Sequence, residues 1–261
     1  MNYFHSLCTA IYNDCLDIPP KDCGRDFFPM SSAVVLFSGG LDSTTVLALC
    51  RATLKKTYAL TIDYGQLHQS ELNAATKLAD HFAVTDHNVL KIDLSSIAFS
   101  ALTTKNINVP KDRTHTEITN ENTAPATYVP ARNSIFLSLA LAWAESLDTS
   151  SIYLGVNEVD ASGYPDCRPD FIESFQHTAD LATHRGRSNR PIKIVAPLLN
   201  KSKSQIIQLG LSLNVDYSMT HTCYEPILDL ACGSCDACVL RKKGFEDAGV
   251  LDQTRYANNH G

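Results

Sequence analysis

No stretch of this chain is apolar enough to span a bilayer. The longest nearly unbroken run, Ile135 to Ala144, is interrupted by Ser138 and stops at Glu145, well short of the roughly 18 residues a span needs. No long basic run occurs either, and 22 Lys and Arg against 28 Asp and Glu leave a net charge of -6, which disfavours unaided binding to a nucleic-acid backbone. Residues 1–29 lack the basic flank and apolar stretch of a signal peptide, and Asp14 and Asp17 stand where such a segment would be greasy. A soluble, cytoplasmic protein is expected. Internal repeats and low-complexity segments are absent, which removes solenoids and linkers from consideration. Neither GxxxxGK[ST] nor GxGxxG is found, so the kinase-type phosphate loop and the dinucleotide fingerprint are excluded.

What is present is a chain of 261 residues, 44% apolar and 19% charged. A domain of that length buries roughly 70–75% of its unfolded surface, so disordered and fibrous classes are ruled out. The first 29 residues mix Pro19, Pro20, Pro29 and three cysteines without a period, whereas Ala33 to Phe37 is a clean apolar run. The contrast predicts an appendage over residues 1–30, a main domain over 31–215, and a C-terminal segment over 216–261. From Ala33 the pattern alternates. Strands are predicted over Ala33–Phe37, Thr57–Asp63, Asp86–Leu94, Ser151–Val156 and Ile192–Leu198. Helices are predicted over Ser43–Lys55, Gln69–Phe82, Ser134–Leu147, Asp170–Ala182 and Lys203–Leu211, the last capped by Ser202 or a neighbour. Strand and helix in alternation predict an α/β fold with a parallel sheet covered on both faces. The polar stretch Thr103–Thr127 shows no strong period.

Two features carry chemistry. Ser38-Gly39-Gly40-Leu41-Asp42-Ser43-Thr44 lies directly between the first strand and the first helix, where glycines let the backbone approach an anion and helix amides bind it. Without a lysine after the glycines, the loop suits a pyrophosphate better than a transferring γ-phosphate. Nine cysteines are the second feature. Five are scattered (Cys8, Cys15, Cys23, Cys50, Cys167), while Cys223, Cys232, Cys235 and Cys238 are bunched, with Gly233 permitting a tight knuckle. Four sulfurs without histidine fit one structural zinc ion in a reducing compartment. An iron–sulfur cluster, a persulfide-carrying pair and free core thiols remain open as alternatives.

The string SGGLDST resembles the PP-loop ATP pyrophosphatase family, whose members cleave ATP between its α and β phosphates to adenylate an oxygen. The resemblance implies a doubly wound parallel sheet of adenine-nucleotide α-hydrolase type with a small C-terminal zinc-binding segment, and ATP at the carboxyl ends of the strands. It implies an ATP-binding loop of Phe37, Ser38, Gly39, Gly40, Leu41, Asp42, Ser43, Thr44, Thr45, Val46 and Leu47, with Asp42 placed to help position magnesium. Further strings, DYGQLH (63–68), VPARN (129–133), GVNEVDASGYPDCRPDF (155–171) and CYEPILDLACGSCDACVLRKKGF (223–245), together resemble the 7-cyano-7-deazaguanine synthase family. The resemblance covers about residues 33–250.

The activity so implied is ATP-dependent conversion of 7-carboxy-7-deazaguanine and ammonia to the 7-cyano base, a ligase step of queuosine biosynthesis, in a homodimer. Asp42, Ser43 and Arg132 are the expected catalytic residues, Arg132 stabilising the departing pyrophosphate. Asp166 and Arg168 are expected to meet the base and its carboxylate, and Gln66 and His68 to line the adenine or substrate side. No histidine stands in a compelling sequence relation to Cys167, which is expected to be a packed thiol. Two rivals stay open. A PP-loop tRNA thiolase would use cysteines for sulfur, but the acidic balance disfavours an RNA partner. A non-enzymatic ATP-binding domain with a zinc-stabilised tail leaves YPDCR and VPARN without a purpose.

Overall fold

An apolar run such as Ala33–Phe37 needs cover on both sides, and the computed structural model, which describes residues 32–119 and 124–257, supplies it. Five strands, β1 (Ser32–Leu36), β2 (Lys56–Asp63), β3 (Asp86–Lys91), β4 (Ser151–Tyr153) and β5 (Lys193–Val195), form one sheet in the order β3-β2-β1-β4-β5, every pair parallel. Nine helices stand among the described residues: α1 (Leu41–Thr53), α2 (Ser70–His81), α3 (His115–Thr119), α4 (Arg132–Ser146), α5 (Glu158–Gly163), α6 (Pro169–Ala182), α7 (His184–Arg187), α8 (Lys203–Ser212) and α9 (Asp236–Ala248). None of them is long and apolar enough to cross a membrane.

Successive residues of a strand face opposite sides. Val34 accordingly packs with Leu137 and Ala140 of α4 and with Ile172 and Phe175 of α6. Ala33 and Val35 pack on the other side with Val46 and Leu47 of α1, Leu78 of α2, Ile206 and Ile207 of α8, and Phe245 of α9. The sheet is therefore doubly wound, and strand order reverses between β1 and β4, which opens a crevice at their carboxyl ends.

The predicted alternation is present, with boundaries shifted by physical cause. Ser151–Val156 forms ladder only over Ser151–Tyr153, and beyond it Gly155 lies against the start of α1. Ile192–Leu198 pairs only over Lys193–Val195, since its sole neighbour offers just those three positions. Ser202 does open α8: its hydroxyl accepts from the Gln205 amide (3.4 Å), and the Gln205 side chain accepts from the Ser202 amide (2.9 Å). Helix α9 was not expected. Its buried positions, Ala237, Cys238, Arg241, Gly244 and Phe245, follow helical spacing, but an arginine and a glycine occupy two of them and hide the stripe.

The aperiodic polar stretch docks onto the cysteine segment. The Asp112 amide donates to the Ser234 carbonyl (2.8 Å), Arg113 forks the Asp236 carboxylate at the start of α9, and Lys111 pairs with Glu225. The appendage expected over residues 1–30 lies outside the described residues.

Candidate active site

The loop between β1 and α1 is built by short hydrogen bonds. The Ser38 amide donates to Ser43 Oγ (3.2 Å), the Gly40 amide donates to Ser38 Oγ (3.3 Å), and the two serine hydroxyls lie 3.1 Å apart. Gly39 adopts φ +81°, and a Cβ there would lie 2.5 Å from the Ala75 amide nitrogen of α2, so only glycine lets the loop sit this low. Its carbonyl accepts from the His221 amide (3.0 Å). Gly40 caps α1 without a side-chain acceptor, which leaves first-turn amides and the helix dipole for an anion. Gly155 approaches from β4: a Cβ there would stand 3.0 Å from the Ser43 amide nitrogen and fill the cradle.

Beside the loop is a cavity of about 260 Å³ whose wall comes from six separate parts of the chain. Arg132 enters from the start of α4, its guanidinium 5.5 Å from the centre of the Tyr64 ring and 5.8 Å from that of Phe136. Ala131, just before it, is held at φ 55°, an uncommon backbone for alanine that puts Arg132 at the helix entry. Glu71 of α2 and Asp160 of α5 face the same space. Burial raises both carboxyls, Asp160 to about 6, so each binds a proton more readily than a carboxylate in water. Tyr164 and Tyr224 close the wall, and burial lowers the pKa of His221 and favours its neutral form. Asp42 turns both carboxylate oxygens to Lys203 Nζ, at 2.9 and 2.8 Å, and each oxygen keeps a second lone pair.

The four clustered cysteines lie with all their sulfurs within 4.8 Å of one another. Cys232 and Cys238 sulfurs are 4.0 Å apart, as are those of Cys223 and Cys235. A tetrahedral ion with bonds of about 2.3 Å sets its sulfurs about 3.8 Å apart, so the group fits a tetrathiolate metal site. Backbone amides already point at the sulfurs: Cys232 donates to Cys223 Sγ (3.2 Å) and Cys235 to Cys232 Sγ (3.3 Å). Cys223 also borders the cavity, so the cysteine segment forms part of its wall.

Not every expected residue reaches that cavity. Phe37, Ser38, Gly40, Leu41, Asp42, Ser43, Gln66, His68 and Arg132 line it. Gly39 lies beneath the loop, and Thr44, Thr45, Val46 and Leu47 are buried in the body of α1, Thr45 at 2.7 Å from the Tyr217 hydroxyl. Asp166 faces away: its carboxylate accepts from the Asn133 amide (2.8 Å) and ties the start of α4 to the 3₁₀ turn Pro165–Cys167. Arg168 lies outside the wall, its side chain 61% exposed and 3.9 Å from Asp170. Cys167 accepts from the Asn133 side chain (3.1 Å), and burial raises its thiol far above the ordinary value, as a packed thiol requires. Sequence reasoning missed Glu71, Lys203 and His221, which sit in no assigned motif, and left Asp160 and Tyr164 without roles inside a string it did single out.

An open parallel sheet with an uncapped Ser-Gly-Gly loop and a cation-bearing crevice at its switch point defines a class, the α/β proteins that bind anionic ligands at the carboxyl ends of their strands. Residues 32–249 match the family described as "Queuosine biosynthesis protein QueC", and the chain belongs to that family. A curated 7-cyano-7-deazaguanine synthase from Solidesulfovibrio magneticus is 57% identical over 226 residues, covering 86% of this chain and 95% of the relative. One from Saccharophagus degradans is 52% identical over 227 residues, covering 87% and 98%. Among solved structures, NMN synthetase from Francisella tularensis is a more distant likeness, with TM-score 0.47 and 17% identity over 97% of this chain and 87% of that one.

Proposed function

We propose that this chain is an ATP-dependent ligase that converts 7-carboxy-7-deazaguanine and ammonia to 7-cyano-7-deazaguanine. The observation that carries this reading is convergence. SGGLDST, DYGQLH, VPARN, GVNEVDASGYPDC and the Cys223 end of the cysteine string are scattered over the whole domain, yet each contributes side chains to one cavity. The high identity to 7-cyano-7-deazaguanine synthases supports the same substrate.

A nitrile forms from a carboxylate by losing both oxygens, and each is a poor leaving group until it is adenylated. In the first activation the substrate carboxylate attacks the α-phosphate of ATP and pyrophosphate departs. Ammonia then displaces AMP to give the amide and a proton. In the second, the amide oxygen attacks the α-phosphate of another ATP with departure of pyrophosphate, and the imidate adenylate collapses to nitrile with loss of AMP, the two amide N–H protons being released over the sequence. Ser38, Gly40, Ser43 and the open amides of α1 cradle the departing pyrophosphate, and Arg132 offsets its charge. The Asp160 carboxylate lies in the same wall to take the proton that ammonia releases.

A magnesium ion accompanying the ATP phosphates would use the free lone pairs of Asp42. Zinc would be held by Cys223, Cys232, Cys235 and Cys238, where four thiolates leave no open position and its contribution is to folding. On this reading residues 31–215 form the nucleotide-binding domain and 216–261 the zinc-binding segment of a cytoplasmic homodimer, whose assembly state is checked by sedimentation. The activity is tested by incubating ATP, 7-carboxy-7-deazaguanine and ammonia with the protein. Mass spectrometry should find the amide and then the nitrile, with AMP as nucleotide product; ADP would contradict the loop's role.

A further inference from the structure

Two polar side chains of the sheet, Thr61 of β2 and His87 of the edge strand β3, touch each other beside Phe37, the residue that leads into the loop. Phe37 and Thr61 are only 2% and 1% exposed and both border the cavity, whereas His87 is partly buried and is not part of its wall. His87 stands diagonally from Thr61, since its ladder partner is Ala59, and its ring makes a T-shaped contact with that of Phe37, the centres 6.3 Å apart.

The heavy atoms assign the protons. Thr61 Oγ lies 2.7 Å from the Phe37 carbonyl oxygen and 2.8 Å from His87 Nε2. A carbonyl oxygen only accepts, so the single Thr61 hydroxyl proton goes to Phe37, and His87 carries a proton on Nε2 and donates it to Thr61. The assignment holds for the neutral ring, which burial favours against the pull of Asp80 and Asp86, and for the charged ring alike. Beyond Phe37 the connection is covalent. Its carbonyl and the Ser38 amide belong to one planar peptide group, which twists about its C–N bond only against a barrier of about 18–20 kcal/mol. That amide donates to Ser43 Oγ (3.2 Å), so orienting the carbonyl orients the donor that holds Ser43. From His87 to Ser43 every donor points the same way, and hydrogen bonds aligned in series polarise one another.

We propose that His87 is a positioning residue for the phosphate loop, acting through Thr61 and the peptide group that joins Phe37 to Ser38 to hold Ser43 where the reaction uses it. The proposal rests on the ATP-dependent reading above and extends the working site to a strand outside the cavity wall. His87 touches no substrate. Without its N–H a buried lone pair of Thr61 is left unpaired, and the hydroxyl gains by turning toward another donor. The peptide group then loses its fixed orientation, while the first-turn amides of α1 and Arg132 stay in place. Turnover suffers more than ATP binding.

The test measures kcat and KM for ATP by AMP release in the metal-loaded full chain, with the thermal midpoint alongside. His87→Phe keeps a ring against Phe37 and removes the donor; kcat should fall roughly 10-fold with KM changed less than about threefold, the scale on which small misplacements act. His87→Gln, whose amide nitrogen can stand near the place of Nε2 and donate, should bring kcat back to within about threefold of the wild type. Thr61→Val should lower kcat as His87→Phe does, and the double variant should lose no more than Thr61→Val alone. Nitrogen NMR of labelled histidine at about pH 8, where the ring is neutral, should find the His87 proton on Nε2. A proton on Nδ1, losses that multiply in the double variant, or a His87→Gln as slow as His87→Phe would each overturn the proposal. A lowered midpoint in His87→Phe with kcat unchanged would make His87 a support of the sheet alone and overturn it too. Wild-type protein that releases no AMP overturns the ATP-dependent reading and this inference with it, whereas an active wild type beside an equally active His87→Phe overturns the inference alone.

Discussion

Arg241 allows the sharpest test of how the C-terminal segment is fastened to the loop. It is a charged side chain 2% exposed, reached by acceptors on every edge of its guanidinium. Nη1 donates to the Thr220 and Thr222 hydroxyls (2.7 and 2.9 Å), Nη2 to the Tyr217 carbonyl (2.9 Å), and Nε to the Asp252 carboxylate (3.2 Å), while its carbon lies 5.1 Å from the centre of the Phe245 ring. The strap from Tyr217 to Thr222 that it holds is the one that supports the loop, through Tyr217 on Thr45 and the His221 amide on Gly39. Arg241→Met keeps apolar volume and removes every one of these donors. The Asp252 carboxylate, 9% exposed, then keeps only the Tyr256 hydroxyl (2.6 Å) and the Thr254 amide (3.0 Å). Stranding one partner of a buried pair costs about 3–5 kcal/mol. For a domain of this size that is a fall in Tm of about 10 °C. Urea denaturation of metal-loaded protein measures the loss directly. Arg241→Met combined with Asp252→Asn should recover more than about 1 kcal/mol, because the stranded charge is gone. A loss below about 1 kcal/mol in the single variant, or strictly additive losses in the double, would refute the account.

Three further outcomes are expected. Asp42→Ala or Ser43→Ala should abolish turnover while circular dichroism and metal content stay as in the wild type; near-normal rates in both would remove the loop from the reaction. Elemental analysis should find about one zinc per chain and no visible absorption, and Cys235→Ser should destabilise the C-terminal segment, since structural zinc binding is worth about 10 kcal/mol or more and is coupled to folding. Hydrogen exchange should then rise around residues 111–113, which dock on that segment, whereas iron with cluster absorption would refute the zinc assignment. Asp160 carries the pH dependence: burial raises it from 3.8 to about 6, so its protonated form is the one the fold favours. Its contribution, at most roughly 3 kcal/mol, is complete below about pH 3.8 and is lost as pH rises through about 6. Asp160→Asn should accordingly flatten the stability curve between about pH 4 and 6, and matching slopes for the two proteins would show that the group is not perturbed.

Local chemistry made much of this protein legible in one dimension. The alternation of apolar strand and amphipathic helix dictated the doubly wound sheet, because a two-residue and a 3.6-residue period are visible without any partner. SGGLDST was legible as a candidate anion loop because glycines, serines and the helix start are contiguous, and four cysteines within sixteen residues were legible as a group that could hold a metal ion for the same reason. The three-dimensional arrangement decided what contiguity does not fix. In the turn Pro165–Cys167, neighbours one residue apart diverge: Cys167 faces the cavity, Asp166 caps α4, and Arg168 beyond it points to solvent. Lys203, Glu71 and His221 come to the loop from three distant elements, and their approach is set by helix packing. Such contacts carry no local period or motif, since they exist only once the two faces of the sheet have been covered and the helices have been pressed together.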